Sequence, residues 1–254
     1  MQNHEDAKLR SYEVENHFLL FSSSKALIFV FFRNFLTSNL RNFILKLMNI
    51  ILTTEGIDLQ DCDVLVTGFF QDEKPLQGTS GWIDWRLNGL LSRFLIDRRM
   101  TGIWKETVLI PSQGRIVPRL ILLVGLGKVR EYSSLRVREL SPYLLSTLKK
   151  LGISSLCISF PYGEAYRVEC AKLIEVLIEG MSDGMDQKER QIDGSWVGNL
   201  RIHFAEGEEK FPEVLMGAQT AKGILAPQMD IRILIPTSDE IDGIHREGVV
   251  SREL

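Results

Sequence analysis

The sequence is poor in cysteine and histidine, has no long uninterrupted apolar run, and carries little net charge. Each shortage removes a class of function. Three cysteines, Cys62, Cys157 and Cys170, are an odd number without close pairing, which fits neither a disulfide framework nor a thiolate metal site. They read as reduced, buried thiols of a cytoplasmic protein. The four histidines, His4, His17, His203 and His245, are scattered. Only His203 falls in an expected strand, where alternation with Ile202 and Phe204 points it outward and leaves it no partner as a general base. A net charge of −3 and a pI near 5.9 give no field to attract the polyanionic backbone of nucleic acid, so none is expected as a partner. The apolar run Ala26–Phe32 is flanked by Lys25 and Arg33 and falls well short of the roughly 20 residues that span a bilayer, so no transmembrane span is expected.

What is present is an average globular composition. With 254 residues, 44% hydrophobic and 25% charged, the chain can bury one substantial core with appendages. Residues 1–47 differ from the rest. They are polar and unpatterned to Glu15, then rich in Phe, Leu and Ile with interspersed Arg33, Arg41 and Lys46. They read either as an amphipathic surface segment or as a stretch upstream of a true start at Met48. Residues 48–237 form the patterned domain and 238–254 a polar tail.

Within the domain, short runs of Val, Ile and Leu alternate with stretches of helical period, the signature of parallel strands covered by helices. Strands are expected at 49–53, 63–70, 107–111, 119–126, 155–160, 199–204 and 231–235. Helices are expected at 82–99, 133–151, 165–181 and 212–225. The first helix sets Trp82, Trp85, Leu87, Leu90, Leu91, Phe94 and Leu95 in a stripe suited to packing on a sheet. The near-continuous apolar run Leu120–Val124 implies burial on both faces, hence an α/β/α sandwich around a mostly parallel mixed sheet.

Two glycine-rich segments invite a ligand. The loop Leu76–Asp84 contains Gly78, Thr79, Ser80 and Gly81 at an expected helix N-terminus, where free amides and the positive end of the helix dipole suit phosphate. The segment Gly125-Leu-Gly127-Lys128 follows a strand but meets neither the Rossmann nor the Walker spacing, and reads first as a tight turn. Ser112-Gln-Gly114 likewise reads as a turn rather than a nucleophile elbow.

The order of Asp63–Phe70, a helix ending near Arg98, Glu106–Pro111 and Arg119–Lys128 with its Val124-Gly-Leu-Gly-Lys128 close resembles the N-terminal domain of the leucyl aminopeptidase (peptidase M17) family. The later helices and strands agree in order, so the resemblance covers about residues 49–225. It implies a macro-domain-like three-layer α/β/α sandwich, the non-catalytic domain of that family. The family's catalytic domain binds two metal ions through motifs such as Asn-Thr-Asp-Ala-Glu-Gly-Arg, and this sequence contains no such run. The resemblance therefore implies no enzyme activity, no metal site and no cofactor, but a stand-alone domain working through protein contacts, with itself or with an aminopeptidase-like partner. The loop at Gly78–Gly81 also resembles, loosely, the ligand loop of macro domains, which bind ADP-ribose. The alternative is thus a nucleotide-binding module using Gly78, Thr79, Ser80, Gly81, Gly125 and Gly127, although Phe69-Phe70-Gln-Asp72 stands where macro domains have an asparagine pair.

Overall fold

The computed structural model describes residues 46–186 and 194–236. The expected appendages, apart from the last two residues before Met48, lie outside the described residues, as do His4, His17 and His245.

Seven strands form one sheet: β1 (Lys46–Thr53), β2 (Val64–Phe69), β3 (Thr107–Pro111), β4 (Leu120–Gly125), β5 (Ser155–Ser159), β6 (Arg201–Ala205) and β7 (Met229–Leu234). Their spatial order is β3-β4-β2-β5-β6-β1-β7. Every neighbouring pair is parallel except β3 with β4, where Leu109 stands opposite Leu122. This is the mostly parallel mixed sheet expected from the apolar runs.

Period-two alternation sorts the core into two layers. Val64, Val66, Leu122 and Val124 face one side, together with Ile50 and Ile202. That side is covered by α3 (Ser134–Lys150), α4 (Cys170–Asp186) and α6 (Phe211–Leu225), through residues such as Leu144, Leu177 and Ala218. Leu65, Phe69, Ile121 and Leu123 face the other side, beneath α1 (Gly78–Arg86) and α2 (Leu90–Ile96). The result is the three-layer α/β/α sandwich. Helix α3 begins where Ser133 accepts the Arg136 amide at 3.3 Å and ends on Lys149 and Lys150, favourable charges at a helix C-terminus. No helix among the described residues is long and apolar enough to cross a membrane.

Four expectations need correction. The helix foreseen at 82–99 is two helices, because Asn88 and Gly89 both take left-handed backbone with φ of 55° and 74°. The Asp84 carboxylate then accepts the Leu91 and Ser92 amides at 2.8 and 3.1 Å and starts α2 afresh. Secondly, the apolar stripe packs only in part: Leu87, Leu90, Leu91, Phe94 and Leu95 join the layer beneath the sheet, but Trp82 and Trp85 do not. At about 100° per residue, Trp82 and Trp85 lie opposite Ser80 and Ile83, and it is Ile83, Leu87 and Leu91 that are buried. Thirdly, α4 starts at Cys170 rather than Ala165. Arg167 has a φ of 54° and Gly163 bridges to Val168, so residues 160–169 form a loop. Lastly, His203 is only 9% exposed, with Nδ1 3.3 Å from Gln60 Oε1, and does not point outward into solvent. A short helix that the sequence pattern did not reveal, α5 (Gly194–Asn199), precedes β6.

Candidate functional site

The carboxyl ends of parallel strands leave the helix N-termini and connecting loops to build a cleft, the usual ligand edge of an open α/β sheet. Here β2 and β5 are neighbours, and a cavity of about 210 Å³ lies at their ends. Thr67, Gln77, Gly78 and Thr79 line it from β2 and the start of α1, and Ser159, Phe160, Pro161, Tyr162 and Tyr166 from the end of β5 and the loop that follows. Glu206 enters from just beyond β6.

The walls are tied together by hydroxyl groups. Thr79 Oγ1 and Ser159 Oγ share a hydrogen bond of 2.8 Å. Tyr162 donates to Glu206 Oε2, and Tyr166 to Glu73 Oε1, each at 2.8 Å. Phe70 backs the site, stacked on Tyr166 at 5.4 Å between centroids and edge-on to Tyr132 at 5.1 Å. Burial raises the Glu206 carboxyl above its usual range, an effect the Tyr162 hydroxyl and Lys210 offset only in part. Burial, then the Glu73 carboxylate, pushes the Tyr166 phenol up to about 12, and burial followed by Glu206 raises Tyr162 as well. Both phenols are therefore protonated hydrogen-bond donors near neutral pH.

These groups can hold polar functions of a ligand but do not compose a nucleophile with its base. Ser159 faces a second hydroxyl, not an imidazole. His203 contacts Gln60, and burial lowers its pKa to about 4. No lysine or arginine lines the cavity. Among the described residues, no three His, Cys, Asp or Glu side chains are grouped so as to hold a metal ion.

Of the residues singled out in the sequence, Gly78 and Thr79 line this cavity. Ser80 is buried and donates back to the Gln77 carbonyl at 2.9 Å. Gly81 packs against the turn before it, where a Cβ would stand 2.5 Å from the Leu76 carbonyl oxygen. Gly125 and Gly127 lie away from the cavity lining, in a turn against residues 102–106. A Cβ on Gly125 would meet the Ile103 carbonyl oxygen at 2.1 Å, and Gly127 has a φ of 76° and donates its amide to the Gly102 carbonyl. This geometry gives both glycines structural reasons to be glycine. Sequence reasoning missed Ser159, Tyr162, Tyr166 and Glu206. The available signal was Pro161 and Gly163 directly after the expected strand, which mark a loop at the carboxyl end of β5.

Residues 66–190 match the family model described as the cytosol aminopeptidase family, N-terminal domain. A probable cytosol aminopeptidase of Sulfurihydrogenibium sp. is 24% identical over 166 residues, which cover 64% of this chain and 32% of that protein. The chain thus spans about a third of that relative's length. Among solved structures, a mutant of tomato leucine aminopeptidase superposes with a TM-score of 0.50 at 15% identity, covering 70% of this chain and 37% of that one. The macrodomain of Trypanosoma brucei, solved in complex with ADP-ribose, superposes with a TM-score of 0.51 at 16% identity, covering 65% and 67%. At such identities the structural likeness speaks for the fold alone. Over residues 66–190 the chain matches the N-terminal domain of the cytosol aminopeptidase family, on a macrodomain-like α/β/α fold.

Proposed function

We propose that this domain is non-catalytic and works in the cytoplasm through protein contacts, either with a second copy of itself or with a separately encoded aminopeptidase-like subunit. The supporting observation is the outer face of α1. Trp82 and Trp85 are 43% and 66% exposed, and their rings stack 5.1 Å apart. The Arg86 guanidinium lies 5.0 Å from the Trp82 ring centre. Tryptophan and arginine are the residues most enriched among those that dominate interface energies, and two exposed indoles in solvent are costly without a partner. Sedimentation velocity of the full chain tests this reading. Concentration-dependent association, or a stable complex with an aminopeptidase-like subunit, is expected, and Trp82→Ala/Trp85→Ala should abolish it. A monomer that forms neither contact would overturn it, as would release of amino acids from leucyl substrates with added zinc or manganese.

The second reading, an ADP-ribose or related nucleotide module, draws on the position of the cavity beside Gly78 and Thr79. Its volume of about 210 Å³ is below the roughly 300–1,000 Å³ of typical ligand pockets, and Glu206 would face an incoming diphosphate. Calorimetric titration with ADP-ribose is expected to give no saturable heat, and a Kd in the micromolar range would establish this reading instead.

A further inference from the structure

A larger cavity opens at the opposite, amino-terminal edge of the parallel strands. It measures about 480 Å³, within the range of ligand pockets, and is lined among others by Asp58, Arg86, Ser112, Gln113, Arg115 and Arg119. Three guanidinium groups therefore meet one carboxylate in a single depression. Asp58 is committed to Arg86 in an ion pair. Arg115 and Arg119 take part in no ion pair among the described residues, and both are exposed. Arg86 Nε is buried and has no hydrogen-bond acceptor. The donors open to the cavity are therefore the two exposed guanidinium groups of Arg115 and Arg119.

The wall that presents the two free arginines is held in place by backbone bonds. Gln113 and Gly114 take φ of 55° and 69°, turning the chain sharply after β3. The Ser112 amide donates to the Arg119 carbonyl at 2.9 Å, and the Arg115 amide to the Ser112 carbonyl at 3.1 Å. The Val117 amide reaches the Asp58 carbonyl at 2.9 Å and joins this loop to the opposite wall. Arginines whose backbone is already ordered lose less freedom when a ligand binds. Guanidinium groups bind planar or tetrahedral oxyanions through paired, charge-assisted hydrogen bonds.

We propose that this cavity is a binding site for a small multivalent oxyanion, held by the exposed guanidinium groups of Arg115 and Arg119. The site is independent of the protein-contact reading, because it rests on the cavity with Arg115 and Arg119 rather than on the exposed indoles and Arg86. Its ligand chemistry is that of clustered phosphates or carboxylates, and two probes separate these sources. Isothermal titration of the full chain at low ionic strength is expected to show saturable one-to-one binding of inorganic pyrophosphate, of citrate, or of both. Response to pyrophosphate alone assigns phosphate, and response to citrate alone assigns carboxylate. The Kd should rise at least tenfold in Arg115→Ala/Arg119→Ala while the thermal midpoint stays within a few degrees. The charge-matched control Arg130→Ala/Arg232→Ala removes two exposed arginines outside the cavity lining and should bind as the parent does. Absence of saturable heat with both probes overturns the proposal, as does binding that survives in Arg115→Ala/Arg119→Ala or is lost equally in the control.

Discussion

Thr79 Oγ1 and Ser159 Oγ lie 2.8 Å apart, joining the first turn of α1 to the end of β5 across 80 residues of sequence. The pair lies in the cavity wall and ties α1 to the end of β5. Thr79→Val keeps the shape and removes the hydrogen bond, leaving Ser159 to seek another partner. A loss of about 1 kcal/mol is expected in urea unfolding. A change below a few tenths would show that the two hydroxyls contribute nothing to holding the loops together.

Leu122 is 1% exposed at the centre of β4, which pairs with β2 on one side and β3 on the other. Leu122→Asp would bury an unpaired carboxylate, at a cost of several kcal/mol against a total stability of about 5–15 kcal/mol. The variant should lose cooperative unfolding by circular dichroism. A folded, cooperative Leu122→Asp protein would contradict the strand's interior place in the sheet, between β3 and β2.

At first sight Gly81 and Gly125 are attractive probes of ligand binding, but their surroundings make them probes of stability. With a Cβ placed 2.5 Å from one backbone oxygen and 2.1 Å from another, even alanine forces backbone movement at either position. Gly125→Ala and Gly81→Ala should each cost about 2–3 kcal/mol in chemical denaturation, whether or not the protein binds a ligand. Unchanged stability would mean that the turn against Ile103, or the one at Leu76, is looser than its geometry.

His203 links the fold to pH. Burial, then the neighbouring Arg201 charge, lowers its imidazole from the ordinary 6.5 to about 4, so the folded state resists a proton that the unfolded chain accepts. Stability should therefore be full above pH 6.5 and fall as the pH drops from 6.5 to 4, by up to about 3 kcal/mol, and this contribution should level off below that. His203→Leu should flatten that part of the profile. An unaltered acid slope in the variant would assign the loss to the carboxylates instead.

How much of this was legible beforehand differs from element to element. The apolar run Leu120–Val124 announced a strand buried on both faces because each residue meets a hydrophobic layer whichever way it points. All seven strands could be placed within a few residues on such grounds. The serine cap and lysine-rich end of α3 were equally readable, since they satisfy backbone groups only a few residues away. By contrast, the Trp82–Leu95 spacing fitted one long amphipathic helix, and only the left-handed turn at Asn88 and Gly89 divided it.

The sequence by itself determined the alternation of strands and helices, the likeness to the aminopeptidase N-terminal domain and the strong core, because these follow from local periodicity and from the order of short motifs. The tertiary structure alone decided that β2 lies between β4 and β5, that Thr79, Ser159 and Glu206 meet at one cavity, and that Arg86 joins Arg115 and Arg119 at another. Residues drawn together from strands and loops tens of positions apart leave no period in the chain. Their meeting is set by sheet order and register, which depend on the packing of the whole domain.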